Sequence, residues 1–516
     1  MKKFIFEHWL ICLITLIAGI MRFYALSGKS FWVDEIIASL VSSRSLDRIF
    51  MLRVEDVSPP FRDYLGHFMF AIFGKGEFAL RLPSAFFGTL SIPLLYFIGM
   101  KWFNKTTGII AAILLSISPY FLHHSQDGRM YPMFIFFSIS SFILLLLALE
   151  KEKKTVWYWI GFILITALNI YTTYFAFWAL ISQLTIAIML IIWRKITDKK
   201  PMQFVWLKLG TIALCLILVL ILYLPWLPVL GGFISKHIHA PLPYKYTFTV
   251  TPQEKEMADN NFPFRARLGW QFIKDMIYDY GVPGKGGYFY LDFFILGLGF
   301  ALFRNRRIAL ILMLWIIMPL VILFLPPTKV LFFTRYISFI MPIYLLGIAY
   351  GIEQSSNFKV RKVKNRVWVI IIIILMCIGF VAKPIIKYYQ TEKQNWRGAV
   401  NYLASETNEG DAILVGPYNA KWCVLYYFPQ KRVQIVEKVN TVEGLEHICA
   451  ANPRVWFITA YYRYYEFRQP EFFDWLEQHC QQPKIFPGTT PSDNIYVFKY
   501  EAIRLNESSK KKEQEY

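Results

Sequence analysis

The segment Phe31-Trp32-Val33-Asp34-Glu35 sets two adjacent carboxylates just beyond an apolar stretch long enough to enter a membrane. Ionisable groups at such a boundary are candidates for function. On any regular backbone neighbouring side chains point in different directions, so Asp34 and Glu35 do not form a dyad sharing one proton. One carboxylate is then free to face a reaction centre while the other anchors a neighbour. A carboxylate held against a hydrophobic wall gains basicity and can act as general base toward a hydroxyl. The structural alternative is a surface salt bridge or a helix cap.

Other chemistry-bearing residues lie further along. His123-His124-Ser125-Gln126-Asp127-Gly128-Arg129-Met130-Tyr131 brings Arg129, whose guanidinium fork suits phosphate oxygens, next to Tyr131, which offers a hydroxyl and a ring. Arg335-Tyr336, shortly after Pro326-Pro327-Thr328-Lys329, repeats the arrangement, so Lys329 and Arg335 are further candidates for a phosphate or diphosphate. Snorkelling of long cationic side chains is the competing explanation. His123 with His124, or His237 with His239, could join Asp34 and Glu35 around a divalent ion, but spacing defines no third ligand. No metal centre is therefore assigned, and a divalent cation stays a candidate. There is no Walker A loop, no Rossmann glycine fingerprint and no Gly-x-Ser-x-Gly, so no nucleotide cofactor is implied.

The elements that must position these residues are membrane helices. Of 516 residues, 56% are hydrophobic and 18% aromatic, with mean hydropathy +0.40. Apolar runs predict about eleven spans, at 8–26, 82–100, 108–122, 131–149, 156–173, 176–193, 205–229, 288–303, 308–325, 336–353 and 367–382. The chain is thus expected to be a polytopic α-helical membrane protein, with a membrane domain over 1–382. Its two long loops are 27–81 and 230–287, the second carrying His237, His239, Lys245, Arg265 and Arg267. Within the first, residues 59–70 predict a short amphipathic helix lying along the membrane surface, with the Phe31-Trp32 pair as an interfacial anchor.

Charge orients the whole. Lys2 and Lys3, Lys101 and Lys105, Lys151 to Lys154, Arg194 to Lys200, Arg304 to Arg307 and Lys359 to Arg366 all fall on one side if the N-terminus is cytoplasmic, which puts the C-terminus outside. The formal net charge is +20, yet residues 383–516 hold 17 Lys and Arg against 16 Asp and Glu, leaving +1 there and +19 for the rest. The excess belongs to cytoplasmic turns facing anionic lipid, which removes the case for nucleic acid. The first span ends in Arg22-Phe23-Tyr24 without an Ala-x-Ala site and reads as a retained anchor in preference to a cleaved signal.

Beyond the last span the pattern becomes that of a small extracytoplasmic α/β domain over 383–505, followed by a polar tail, 506–516, expected to be disordered. Helices are predicted at 396–405 and 471–479 and strands at 412–415, 433–436, 455–459 and 495–499. Cys12, Cys215 and Cys377 fall in spans, whereas Cys423, Cys449 and Cys480 lie in this domain, where an oxidising compartment would permit one disulfide.

Five strings in order, Phe31-Trp32-Val33-Asp34-Glu35, Ser58-Pro59-Pro60-Phe61, Phe78-Ala79-Leu80-Arg81-Leu82-Pro83-Ser84, Ser125-Gln126-Asp127-Gly128-Arg129-Met130-Tyr131 and Thr334-Arg335-Tyr336, resemble the bacterial membrane glycosyltransferases related to dolichyl-phosphate-mannose-protein mannosyltransferases and to the lipid A aminoarabinose transferase. Asn395-Trp396-Arg397-Gly398-Ala399 and Gly410-Asp411-Ala412-Ile413-Leu414-Val415 are similar to the start of their external domain. The resemblance implies a GT-C fold, a polyprenyl-phosphate sugar donor and a protein, lipid or glycan acceptor. By it Asp34 is the candidate base, Glu35 its support, and Arg129 and Arg335 the donor-phosphate contacts; beside these stand Lys329 as a further phosphate candidate and Tyr131, Tyr336 and Arg81 as candidate substrate contacts. Ser58 stands where many relatives carry His, which puts a metal or acceptor role there in doubt.

The expected reaction is transfer of a hexosyl group to an acceptor hydroxyl on the outer face of a bacterial plasma membrane, with one base and therefore inversion. A transporter or flippase for lipid-linked sugars would instead favour ionisable residues at the bilayer midplane and paired repeats, and no repeat is visible. A glycan-binding receptor would not need the Asp-Glu pair.

Overall fold

The computed structural model describes residues 8–151, 155–234, 270–282, 284–324, 333–357, 366–416, 418–428, 434–436, 441–452, 454–462, 466, 469–489 and 493–501. Lys2, Lys3, His237, His239, Lys245, Arg265, Arg267, Lys329 and the tail from 506 onward lie outside them. Two compact units emerge among the described residues. The first takes in the chain up to Leu26 and from Ala38 to Lys387; the second joins Ser27–Ile37 to the chain from Tyr388 onward.

The regular elements of the first unit are all helices among the described residues, and each expected span overlaps helix, the span 108–122 falling on two. Among the described residues, length and hydropathy alone return seven helices able to cross a membrane: Glu77–Trp102, Tyr131–Glu150, Ala176–Thr197, Met202–Gly232, Lys285–Arg304, Thr334–Ser355 and Arg366–Gln390. An eighth forms if Lys105–Ser116 and Pro119–Ser125, bent by 61° at their break, count as one span. Trp9–Phe23 and Val156–Thr172 are shorter apolar helices, and at 1.5 Å per residue the 15 residues of Trp9–Phe23 reach only about 22 Å. The expected count of eleven thus exceeds what span length supports by itself. The protein is a multi-pass membrane protein.

Lipid tails supply no hydrophobic drive between helices, so close backbone approach and interhelical polar contacts hold the bundle. Thr334–Ser355 is the innermost span, 94% buried over its apolar window, whereas Arg366–Gln390 is only 17% buried. Glycine permits the tightest crossing: a Cβ on Gly351 would overlap the Phe293 carbonyl, and one on Gly297 the Gly347 carbonyl. A polar knot joins three helices, with Gln183 donating to the Ser138 carbonyl and Ser141 Oγ, and Asn169 donating to Ser138 Oγ. At the break before Pro119, buried Arg22 donates to the carbonyls of Leu115 (3.2 Å) and Ser116 (3.3 Å), which the bend strips of helical partners. The opposite end of the bundle carries Glu150 between Lys101 (2.6 Å) and Arg307 (2.9 Å).

The amphipathic helix expected at 59–70 forms as Phe61–Phe73, burying Asp63, Gly66 and Phe70 along one stripe. Phe68, Ile72 and Phe73 stay exposed.

The second unit holds a five-stranded sheet in the order β2-β1-β3-β5-β4, with β1 Ala412–Gly416, β2 Gln434–Val436, β3 Arg454–Ala460, β4 Lys484–Phe486 and β5 Ile495–Glu501. β1 runs parallel to β2 and β3; β5 is antiparallel to β3 and β4, with Ala460 opposite Ile495. Phe457, Phe472, Phe473, Trp475, Leu476 and Phe498 build its core. The helices expected at 396–405 and 471–479 occur as Trp396–Glu406 and Pro470–His479. Lys421–Tyr427, Val442–Ala451 and the three-residue β4 were not expected; the first and last are too short to impose a period. Cys423, Cys449 and Cys480 are free thiols in this structure.

Candidate functional site

Asp34 and Glu35 open the helix Val33–Ser42, where first-turn carboxylates complement the helix dipole. The 100° between successive helical residues separates them: Glu35 is 1% exposed, while Asp34 is half-buried. The preceding loop is stitched to the C-terminal chain within the second unit. Ser30 donates its N–H to Glu392 (2.8 Å) and its hydroxyl to the Gln394 carbonyl (2.7 Å). The Phe31 N–H reaches the Tyr427 hydroxyl (2.7 Å), and the Val33 N–H and Trp396 Nε1 both donate to Gln394 Oε1. Arg397 donates to the Gly28 carbonyl (3.1 Å).

The Phe31-Trp32 pair is not the interfacial anchor that composition predicts. Phe31 is fully buried with its ring 5.5 Å from that of Tyr426, and Trp32 lies under the Lys393 ammonium at 3.5 Å. Their aromatic surface is consumed by packing inside the second unit, which hydropathy cannot foresee.

Cys423 and Tyr461 complete the surroundings of the carboxylates. Burial pushes the Cys423 thiol up, and the negative charges of Asp34 and Glu35 push it further. Burial and Asp34 act likewise on the Tyr461 phenol. Tyr461 sits at φ +56°, a left-handed conformation that costs a non-glycine residue energy and recurs at functional positions.

The first unit holds the cationic candidates. Arg129, Tyr131, Arg335 and Tyr336 share one neighbourhood: the Arg335 guanidinium lies 4.3 Å from the Phe333 ring, 5.6 Å from Tyr336 and 6.0 Å from Tyr131. Tyr336 is within electrostatic reach of both arginines. Tyr336 also stacks on Phe175 at 4.3 Å. The backbone of Arg129 is fixed by Ser84, whose hydroxyl donates to its carbonyl (2.7 Å), and by its own N–H to the Asp127 carbonyl (2.7 Å). Arg81 is 4% exposed and donates to the Leu26 carbonyl (2.9 Å).

Three potential ligands converge beside Arg129. One donor atom each from His123, His124 and Asp127 lies within 4.8 Å of the others, with His124 and Asp127 buried. Two imidazole nitrogens and one carboxylate oxygen suit Zn²⁺, Co²⁺ or Mn²⁺ better than Ca²⁺. Spacing had left the third ligand open; a tight turn after the helix Pro119–Ser125 supplies Asp127.

Residues 57–223 match the family model described as dolichyl-phosphate-mannose-protein mannosyltransferase, a segment that includes Arg81, Arg129 and Tyr131 but neither Asp34 nor Arg335. No curated protein matches in sequence. Among solved structures, ArnT from Cupriavidus metallidurans in the apo state is similar over 95% of this chain and 97% of its own, at 12% identity and TM-score 0.55. The same ArnT bound to undecaprenyl phosphate is similar over 96% and 99%, at 13% identity and TM-score 0.53. The Archaeoglobus fulgidus oligosaccharyltransferase AglB, in complex with an inhibitory peptide and a dolichol-phosphate, is similar over 97% of this chain and 75% of its own, at 13% identity and TM-score 0.56.

The chain has the GT-C fold.

Within that fold, several residues now stand out that sequence patterns did not single out. Arg62, on the helix Phe61–Phe73, donates to Asp63 (2.6 Å) and to the Gly128 carbonyl (3.4 Å). Burial pulls it down to about 10, against the Asp63 carboxylate and with help from the Arg53 and Arg129 charges. Asp279 closes the helix Trp270–Tyr280 and accepts from Thr334 Oγ1 (2.5 Å). Neither belongs to a recognisable string: Arg62 reaches Gly128 and Asp279 reaches Thr334 across more than 50 residues, while Asp63 is Arg62's own chain neighbour.

Proposed function

We propose that this protein is a membrane glycosyltransferase that moves a sugar from a polyprenyl-phosphate donor to an acceptor hydroxyl. The observation that carries the reading is the GT-C fold, matched along nearly the whole chain to an ArnT structure bound to undecaprenyl phosphate and to an AglB structure containing a dolichol-phosphate. The mannosyltransferase model over 57–223 supports it.

Asp34 is the general base. It takes the proton from the acceptor hydroxyl as that oxygen bonds to the anomeric carbon; the carbon–oxygen bond to the lipid phosphate breaks, and the phosphate leaves with the electron pair. Burial of Glu35 and half-exposure of Asp34 support this division of labour, leaving Glu35 as a support. Arg129 and Arg335 offset the charge of the leaving phosphate, with Lys329 a further contact, and Tyr131 and Tyr336 line the donor. A divalent cation fits His123, His124 and Asp127, where it would add positive charge beside Arg129. One base without a second nucleophilic carboxylate gives inversion. Membrane lipids surround the helices; the reaction takes place on the outer face of a bacterial plasma membrane, with the N-terminus cytoplasmic and the α/β domain outside.

The test is turnover of radiolabelled polyprenyl-phosphate sugars by purified protein in nanodiscs, with Asp34→Asn alongside. Sugar transfer or hydrolysis in wild type, lost in the variant while lipid binding persists, is expected. Equal rates would remove Asp34 as the base, and binding without turnover in either protein would return the reading to a transporter or flippase.

A further inference from the structure

The turn that carries Arg335 is irregular. Thr334–Ile340 consists of short 3₁₀ turns joined by a kink at Ile337, at φ −115°, ψ 24°. Its first residue is held from outside by two consecutive residues of another element. Asp279 accepts the Thr334 hydroxyl at 2.5 Å, and the Tyr280 hydroxyl donates to the Thr334 carbonyl at 2.6 Å. Thr334 is thereby gripped by side chain and backbone at once, one residue before Arg335.

We propose that Asp279 and Tyr280 are positioning residues whose grip on Thr334 fixes the turn that presents the Arg335 guanidinium to the phosphate of the lipid carrier. The inference rests on Arg335 being a donor-phosphate contact. Further along the same segment, Trp315 Nε1 donates to the Phe339 carbonyl (3.0 Å), and Phe175 stacks on Tyr336. The Asp279 and Tyr280 contacts act on the N-terminal side of Arg335, where the Tyr120 hydroxyl also meets Thr334.

The grip is pH-sensitive. Burial pushes the Asp279 carboxyl up to about 6; the Thr334 hydrogen bond opposes the shift and the Asp275 carboxylate, one turn earlier, adds to it. Facing it from other elements are the Thr334 hydroxyl and the Tyr120 hydroxyl, which feels both Asp279 and Arg335; Tyr280 neighbours it on its own helix. Above pH 6 the ionised carboxylate is the stronger acceptor for Thr334, and below it the charge assistance is lost.

The test compares wild type, Asp279→Ala, Asp279→Asn, Tyr280→Phe and Arg335→Ala in nanodiscs. Its readouts are undecaprenyl phosphate binding from pH 5 to 8 and hydrogen exchange of the 333–340 amides without ligand. Expected are faster exchange in Asp279→Ala and Tyr280→Phe and about tenfold weaker binding in Asp279→Ala at pH 7.5. Wild-type affinity should fall as pH drops through about 6, a limb absent in Asp279→Asn. Unchanged exchange at 333–340 in Asp279→Ala overturns the grip whatever the ligand. Weaker binding in Arg335→Ala with none in Asp279→Ala overturns the positioning role alone, whereas no binding by wild type overturns the phosphate reading and this inference with it.

Discussion

Asp34 and Glu35 are adjacent in sequence, yet Glu35 is buried and Asp34 half-buried, and the proposed division into base and support follows that difference. General-base loss costs roughly 10²- to 10⁴-fold in rate. Asp34→Asn is therefore expected to lower kcat by that factor with donor binding retained, as read by single-turnover assays. A charge-assisted hydrogen bond contributes about 1.5–3 kcal/mol. Arg129→Ala and Arg335→Ala should thus raise the donor KM about 10- to 100-fold, with a smaller effect on kcat. The His123, His124 and Asp127 group makes a separate prediction: micromolar Zn²⁺ or Mn²⁺ should raise the Tm of the purified protein, and His124→Ala with Asp127→Asn should abolish the rise. No shift in wild type would leave those side chains as packing against Tyr120 and Tyr131, whose rings His124 meets at 4.5 and 5.0 Å.

At the scale of elements, helix breaks and close crossings do the positioning. The bend between Lys105–Ser116 and Pro119–Ser125 frees carbonyls that Arg22 satisfies, and the same bend leads into the turn bearing Asp127 and Arg129. Arg22→Met keeps the volume but removes those donors, so it should destabilise the fold by about 1.5–3 kcal/mol, visible as a lower Tm in detergent. The crossing of Lys285–Arg304 with Thr334–Ser355 tolerates no Cβ at Gly351 because backbone carbonyl atoms, which cannot swing away, occupy the space. Gly351→Ala should accordingly destabilise by about 1–3 kcal/mol, and an unchanged Tm would show that the helices slide apart at little cost. The stretches of regular secondary structure were legible because apolar runs are local. Lys484–Phe486, by contrast, becomes a strand only by pairing with Ile495–Val497.

For the whole molecule, the charge asymmetry makes the topology testable. With basic clusters on the cytoplasmic side, a reporter enzyme active only outside the membrane should be active when fused after Glu501 and inactive when fused at Lys199. The reverse pattern would invert the orientation. Chain connectivity adds what hydropathy does not: Ser27–Ile37 belongs with the C-terminal sheet unit although about 350 residues separate them, so the Asp34-bearing segment takes its shape from Glu392, Gln394 and Tyr427. The sequence assigned Phe31 and Trp32 to the membrane interface because an aromatic pair beside a span looks the same whether lipid or protein covers it.

By itself the sequence determined the class of protein, the approximate positions of its helices, the α/β nature of its C-terminal part and the strings that resemble a glycosyltransferase family. The first three depend on composition and short-range period, and the strings on local residue order, all of which a chain carries locally. Only the tertiary structure decided that His123, His124 and Asp127 form one donor set, that Arg335 lies among Phe333, Tyr336 and Tyr131, and that Asp279 and Tyr280 hold Thr334. Such groupings arise where packing brings distant segments together, and the burial that results is what sets Glu35 apart from Asp34.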